Sequence, residues 1–132
     1  MLKAFRGFTL SELLIALAIL AVVLTGSLAV FINCILLNEA TRNLNIAIGH
    51  TEFVMEEIKN TLFTTIKTKS DNGDWDWDRA TIESYGLTPL NNESIDTSVT
   101  GTDLLDINIT TSWKDRGKRE RSFKLETLLA AP

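Results

Sequence analysis

Near the start of this chain, Lys3 and Arg6 precede a run from Leu13 to Asn38 that contains no charged side chain, and a single carboxylate, Glu12, stands at its threshold. About 20 consecutive apolar residues suffice to cross the hydrocarbon core of a bilayer, so the run is long enough to span one. Basic residues remain on the cytoplasmic side of such a span, which predicts Lys3 and Arg6 inside and everything after the span outside. A secretory signal of the ordinary kind carries its small-residue cleavage site after the apolar region, and cleavage removes that region. Here the small residue is Gly7, ahead of the run. A cut after Gly7 removes the basic leader and leaves the membrane helix on the product.

The carboxylate needs an explanation of its own. An ionised side chain at the centre of a membrane helix costs about 2.5–3.5 kcal/mol, and such groups usually have a partner or a task. Glu12 sits near the cytoplasmic end, where the cost is smaller. Two readings fit the spacing. Thr9 and Glu12 match a capping box, with Phe8 and Leu13 placed as a hydrophobic staple. Alternatively, a new amine on Phe8, in the same chain or on a neighbour, is a counter-ion that makes Glu12 a docking and register device.

Lys3, Arg6, Gly7, Phe8, Thr9, Leu10 and Glu12, followed by Leu13-Leu14-Ile15-Ala16-Leu17-Ala18-Ile19-Leu20, resemble the class III signal of type IV pilins and type II secretion pseudopilins. The resemblance implies cleavage between Gly7 and Phe8 by a prepilin peptidase, methylation of the Phe8 amine, and docking of subunits through Glu12. It also implies an inner-membrane location with the C-terminal domain in the periplasm. The implied partners are other pilin or pseudopilin subunits, the inner-membrane assembly platform and membrane lipid.

The 132 residues leave room for one long anchor and one small domain with a modest core. Net charge is −4, and −6 once Lys3 and Arg6 are subtracted, a balance that argues against nonspecific nucleic-acid binding. Cys34 is the only cysteine, so no intrachain disulfide forms, and it reads as a small membrane-facing packing residue.

Beyond the span, Leu37, Ala40, Leu44, Ile48, Thr51, Met55, Ile58, Leu62 and Ile66 recur at separations of three or four, which predicts an amphipathic helix. No proline precedes Pro89, so one helix is expected from about Thr9 to about Lys67, with Gly26 and Gly49 as soft points. Its first half reads as anchor and filament core, and its second half as the spine for a sheet, with a coiled coil as the other use of the stripe. Lys67 and Lys69 favour a helix end, and Ser70-Asp71-Asn72-Gly73 supplies a turn. The expected division is a leader over 1–7, an assembly helix over 8–36, its amphipathic continuation over 37–69 and an exported β-rich domain over 70–132.

Asp71, Asp74, Asp76 and Asp78 gather oxygen ligands around Trp75 and Trp77. A calcium loop of the EF-hand kind beginning at Asp74 needs glycine where Arg79 stands and glutamate where Tyr85 stands, so that match fails. The segment reads as an acidic loop whose tryptophans fold back on the domain or contact another subunit. From Arg79 to Gly101 the chain reads mostly as loop, with a short element around Thr81 to Tyr85.

Alternation returns at Leu105, Ile107, Ile109, Thr111 and Trp113, which predicts a strand with one apolar face. A turn at Lys114 to Lys118 and a second strand over Ser122 to Thr127 follow, with Phe123 and Leu125 inward. Two strands alone are marginal, so the hairpin must rest on the helix. Arg116, Lys118, Arg119 and Arg121 make the hairpin basic, as an edge that discourages aggregation or as a contact for an acidic surface on an adjacent subunit. The expected fold is α+β, a long N-terminal membrane-spanning helix packed against a small antiparallel sheet.

A weaker resemblance, through Trp113, Gly117, the Leu125-Glu126-Thr127-Leu128-Leu129 ending and Glu52, Met55 and Glu56 in the spine, is to V-type minor pilins and I-type minor pseudopilins. The chain departs from major type IVa pilins in lacking a C-terminal cysteine pair and a proline in the membrane helix. Enzymatic chemistry has little to stand on. His50, the sole histidine, falls in the spine as a polar-face or interface residue, and no phosphate loop or cysteine pair for metal is present. No catalytic, cofactor-binding or metal-binding residue is predicted. The reading that competes with a filament subunit is a signal-anchored protein whose leader stays on and whose exported domain binds a partner without polymerising.

Overall fold

The computed structural model describes residues 9–116 and 119–131. Leucine, alanine and isoleucine, which dominate the N-terminal run, are good or tolerable helix formers, and they form helix α1, Leu10–Lys59. Contacts divide the chain into two compact units, with the boundary between Glu39 and Ala40.

In the first unit every described residue from Thr9 to Leu37 is exposed, leucines, isoleucines and Phe31 included. A helix apolar on all sides and buried on none suits lipid or neighbouring helices. This stretch is long and apolar enough to cross a membrane.

In the second unit α1 buries one stripe: Asn43, Ala47, His50, Thr51, Val54, Met55 and Ile58. The predicted stripe is right at Thr51, Met55 and Ile58 and displaced by one residue before them, where Leu44 remains 39% exposed. Polar residues occupy the buried side because each meets a partner. Asn43 Nδ2 donates to Asp115 Oδ1 at 3.1 Å, and His50 meets Glu93 at 2.8 Å. Thr51 Oγ1 donates to the Ala47 carbonyl at 2.7 Å and lies 2.7 Å from Thr111 Oγ1. Since a hydroxyl has one proton, Thr111 must be the donor to Thr51.

The single helix expected to reach Lys67 is corrected here. α1 stops at Lys59, and a second helix, α2, runs Phe63–Asp71 after Leu62 turns to φ −59°, ψ 128°. Asn60 and Thr61 are weak helix formers, and the orphaned carbonyls at the break find local donors. Thr61 N donates to Ile58 O at 3.0 Å, Thr61 Oγ1 to Glu57 O at 3.0 Å and Thr65 Oγ1 to Leu62 O at 2.8 Å. The break turns Leu62 out, 76% exposed, while Ile58 and Ile66 on either side remain fully buried. No proline or glycine is needed for it.

Helix α3, Arg79–Ser84, fulfils the expectation of a short element there. Asp78 caps it, accepting from Thr81 N at 2.9 Å and Thr81 Oγ1 at 2.7 Å.

The sheet has three antiparallel strands in the order β1 (Ser94–Thr100), β2 (Leu104–Lys114), β3 (Glu120–Ala130). β2 alternates as predicted, with Leu105, Ile107, Ile109, Thr111 and Trp113 buried. β3 pairs with it from Leu104↔Ala130 to Lys114↔Glu120, with Phe123 and Leu125 partly buried against the core. β1 corrects the sequence reading of Arg79 to Gly101 as mostly loop. Ile95, Thr97 and Val99 are buried and Asp96, Ser98 and Thr100 exposed, a period of two in which a threonine and short polar residues dilute the apolar signal.

The acidic loop fastens along the free edge of β1. Trp77 and Ile95 exchange backbone hydrogen bonds at 2.8 and 2.9 Å, Asp76 Oδ1 accepts from Thr97 N at 2.8 Å, and Thr97 Oγ1 donates to Trp75 O at 3.1 Å. Both tryptophans are 2% exposed. They fold back on the domain, burying large apolar area in the same cluster as Val54, Ile58, Ile66, Ile82 and Ile109.

Two features carry predictions. Gly101 turns the chain between β1 and β2 at φ +97°, and a Cβ there would lie 2.0 Å from the Leu104 carbonyl oxygen. Gly101→Ala is expected to destabilise the sheet by about 2 kcal/mol or more, read as a lower urea midpoint of tryptophan fluorescence. Asp115 is the second. Burial raises its pKa, but hydrogen bonds from Asn43, Arg121 and Trp113 and the Arg121 charge outweigh it, and the carboxyl titrates below its ordinary range. A carboxyl lowered by folding stabilises the fold above its unfolded value of about 3.9 and loses that contribution as pH falls through the folded value. Asp115→Asn is therefore expected to flatten the fall in stability below about pH 4. Denaturant midpoints measured along an acid series check this.

Candidate assembly site

Of the three residues assigned to the N-terminal signal, Gly7 and Phe8 lie outside the described residues, as does the Phe8 half of the hydrophobic staple. Glu12 is described, exposed in the first turn of α1. Thr9 N donates to Glu12 Oε2 at 3.0 Å, Thr9 Oγ1 donates to the same oxygen at 3.0 Å, and Glu12 N donates to Thr9 Oγ1 at 3.3 Å. Ser11 Oγ lies 3.1 Å from Thr9 Oγ1, and because the Thr9 proton goes to Glu12, Ser11 is the donor.

This is a reciprocal capping box, in which two of the helix's orphan donors are satisfied by the two side chains. A carboxylate in the first turn also complements the positive end of the helix dipole. The two bonds that reach the Glu12 carboxylate both end on Oε2. A second acceptor oxygen on an exposed carboxylate at a helix threshold suits an ammonium group, and capping and docking are compatible in one geometry.

Residues 2–28 match a family model described as the prokaryotic N-terminal methylation motif. The chain carries a class III prepilin signal. The match supports the type IV pilin and pseudopilin superfamily, and it is confined to the segment that ends within the first unit. No curated protein and no solved structure matches the chain. The motif and the exposed apolar helix that follows it, long enough to cross a membrane, both fit a chain anchored in a bilayer.

Elsewhere, the structure uses the polar residues architecturally. His50, expected on a polar face or at an interface, is corrected to a buried residue, 6% exposed, because Glu93 reaches it. The acceptor-only carboxylate makes Nδ1 of His50 the donor, and Glu93 Oε2 accepts from Leu90 N at 2.6 Å. Glu93 thus ties the loop before β1 to the helical spine. Neither its sequence context nor its distance from His50 gives a periodic signal. Asp76 and Asp78 accept backbone hydrogen bonds, and no group of three or more potential metal ligands occurs among the described residues. Arg121 of the hairpin pairs with Asp115 at 3.1 Å, Lys114 with Glu120 at 3.3 Å, and Cys34 is exposed on the apolar part of α1.

Proposed function

We propose that this chain is a minor pilin or pseudopilin, a structural subunit that helps initiate or build a type IV filament of a pilus or a type II secretion system. The observation that carries the reading is the methylation motif running into an apolar helix that the subunit itself does not cover. The steps are those that the resemblance of the N-terminal signal implies. Prepilin peptidase cuts between Gly7 and Phe8, removing Lys3 and Arg6 with the 1–7 leader. The Phe8 amine is methylated and remains a cation. The helix over 8–36 sits in the inner membrane with its N-terminus cytoplasmic, and the domain that follows lies in the periplasm. During assembly the helix leaves lipid for a bundle of similar helices.

Lipid and helices are comparably apolar, so packing and polar contacts supply the specificity of that exchange. Glu12 is the polar contact, its carboxylate docking on the Phe8 amine of a neighbouring subunit. The assembly platform and the other subunits are the partners. Small copy number is supported by the weaker resemblance through Trp113, Gly117 and the Leu125 to Leu129 ending.

The test is recovery of the chain with filaments sheared from cells, or with pseudopili, quantified against the main subunit. Recovery at a small fraction of the main subunit is expected. A chain that remains wholly in the inner membrane of cells making filaments contradicts it. That outcome favours the signal-anchored reading, in which the Thr9–Glu12 box is only a helix cap.

A further inference from the structure

A groove of about 460 Å³ opens at the end of the sheet where β1 and β3 begin and β2 finishes. Its volume is in the range of small-molecule sites, but its lining is mostly polar where such sites are mostly apolar. Ser94, Ser112 and Ser122 stand directly opposite one another on the three strands. They alternate with buried Ile95 and Thr111 and half-buried Phe123, so they share the face turned away from the core. Strands lie about 4.8 Å apart, which makes the hydroxyls a row about 10 Å long. At the next position of the same face Lys114 stands opposite Glu120, and Asn92, at φ 51° in the turn before β1, lies beside them in the groove.

Two properties of this lining define what it can hold. Among the described residues, none of the three serine hydroxyls and neither end of the Asn92 carboxamide has a hydrogen-bond partner within the chain. The cations at the groove, by contrast, are neutralised: Lys114 by Glu120 at 3.3 Å and Arg121 by Asp115 at 3.1 Å. The groove therefore offers donors and acceptors without net charge, which disfavours phosphates and carboxylates and suits an uncharged molecule rich in hydroxyls. A sugar hydroxyl donates and accepts at once, as serine hydroxyls do and as the two ends of a carboxamide do together. The walls are also held in place in advance. Lys114 N donates to Asn91 O at 2.8 Å, and Glu93 fastens the same turn to His50 at 2.8 Å and to Leu90 N at 2.6 Å. A wall already ordered lowers the cost of binding.

We propose that this groove binds an uncharged, β-1,4-linked saccharide chain laid across the strands, with Ser94, Ser112, Ser122 and Asn92 hydrogen-bonding its hydroxyls. The sugar units of such a chain repeat at close to the spacing of the strands, so successive units meet successive serines. The proposal goes beyond the filament reading and does not rest on it, since a chain with or without its leader presents the same groove.

The test uses the full chain in micelles of a detergent without a sugar headgroup, with cellotriose and tri-N-acetylchitotriose as probes and saturation-transfer NMR as the readout. Saturable transfer to at least one of the two is expected. The double variant Asn92→Ala, Ser112→Ala should weaken that binding about tenfold, two hydrogen bonds being lost, while Ser98→Ala, on the same face but outside the groove, leaves it unchanged. An unaltered urea midpoint of tryptophan fluorescence shows that the double variant keeps its fold, and Ser112→Thr, which retains a hydroxyl, should keep binding. Transfer to neither probe, transfer indifferent to the double variant, or displacement of the bound probe by inorganic phosphate each overturns the proposal. The filament reading is judged separately by the state of the N-terminus, which none of these results changes.

Discussion

Glu12→Ala is expected to leave membrane insertion intact and to lower incorporation into filaments about tenfold or more, because a charge-assisted hydrogen bond is worth about 1.5–3 kcal/mol. Insertion survives because the Leu13 to Asn38 run is untouched and one polar residue fewer only helps the helix enter lipid. The alanine variant also removes the bonds between Glu12 and Thr9, so by itself it mixes the loss of a cap with the loss of a docking group. Glu12→Gln separates them. Its amide oxygen still accepts from Thr9, while the negative charge is gone. If Glu12 docks on a neighbour's amine, the glutamine variant assembles nearly as poorly as the alanine variant. If Glu12 only caps the helix, the glutamine variant assembles like the unaltered chain. Quantifying each in the sheared filament fraction, against its level in the membrane, reads the difference.

The largest loss of stability in the second unit is expected from Glu93→Ala, about 3–5 kcal/mol, the range for removing one partner of a buried pair. Two buried donors lose their acceptor at once, His50 Nδ1 and Leu90 N. Neither can turn to water, since His50 is 6% exposed and Leu90 7%. Glu93→Gln is expected to cost less, because its amide oxygen can serve one of the two donors. The readout is the urea midpoint of fluorescence from Trp75, Trp77 and Trp113, all buried. An alanine variant within about 0.5 kcal/mol of the unaltered chain, the range of an ordinary surface substitution, would show that the tie between spine and loop contributes nothing net.

How far the sequence revealed this fold depended on whether its signals were local and apolar. The anchor helix was legible as an unbroken run without charge from Leu13 to Asn38, and β2 because it repeats a period of two from Leu105 to Trp113. The fold-back of Trp75 and Trp77 was legible as one of two outcomes, since two large aromatics in an acidic loop must be covered by something. β1 was not legible, because alternation carried by Ile95, Thr97 and Val99 among serine, threonine and aspartate is faint beside that of β2. The break after Lys59 has no proline or glycine to signal it; an asparagine and threonines with hydroxyls able to bond nearby carbonyls suffice. His50–Glu93 and Asn43–Asp115 join residues far apart in sequence, so only the three-dimensional fold brings them together. At the N-terminus the geometry of Thr9 and Glu12 matched the spacing argument for a capping box. The docking role of Glu12, and the assignments of Gly7 and Phe8, rest on the motif and not on described geometry.

The measurement that tests the central claim most directly is the mass of the N-terminal peptide of the protein recovered from its native membrane. A peptide that begins at Phe8 and carries one added methyl group is the expected result, and it makes the chain a processed prepilin with a cation beside Glu12. A peptide that still begins at Met1, in cells with an active prepilin peptidase, contradicts the account and leaves Glu12 a helix cap on a signal-anchored protein.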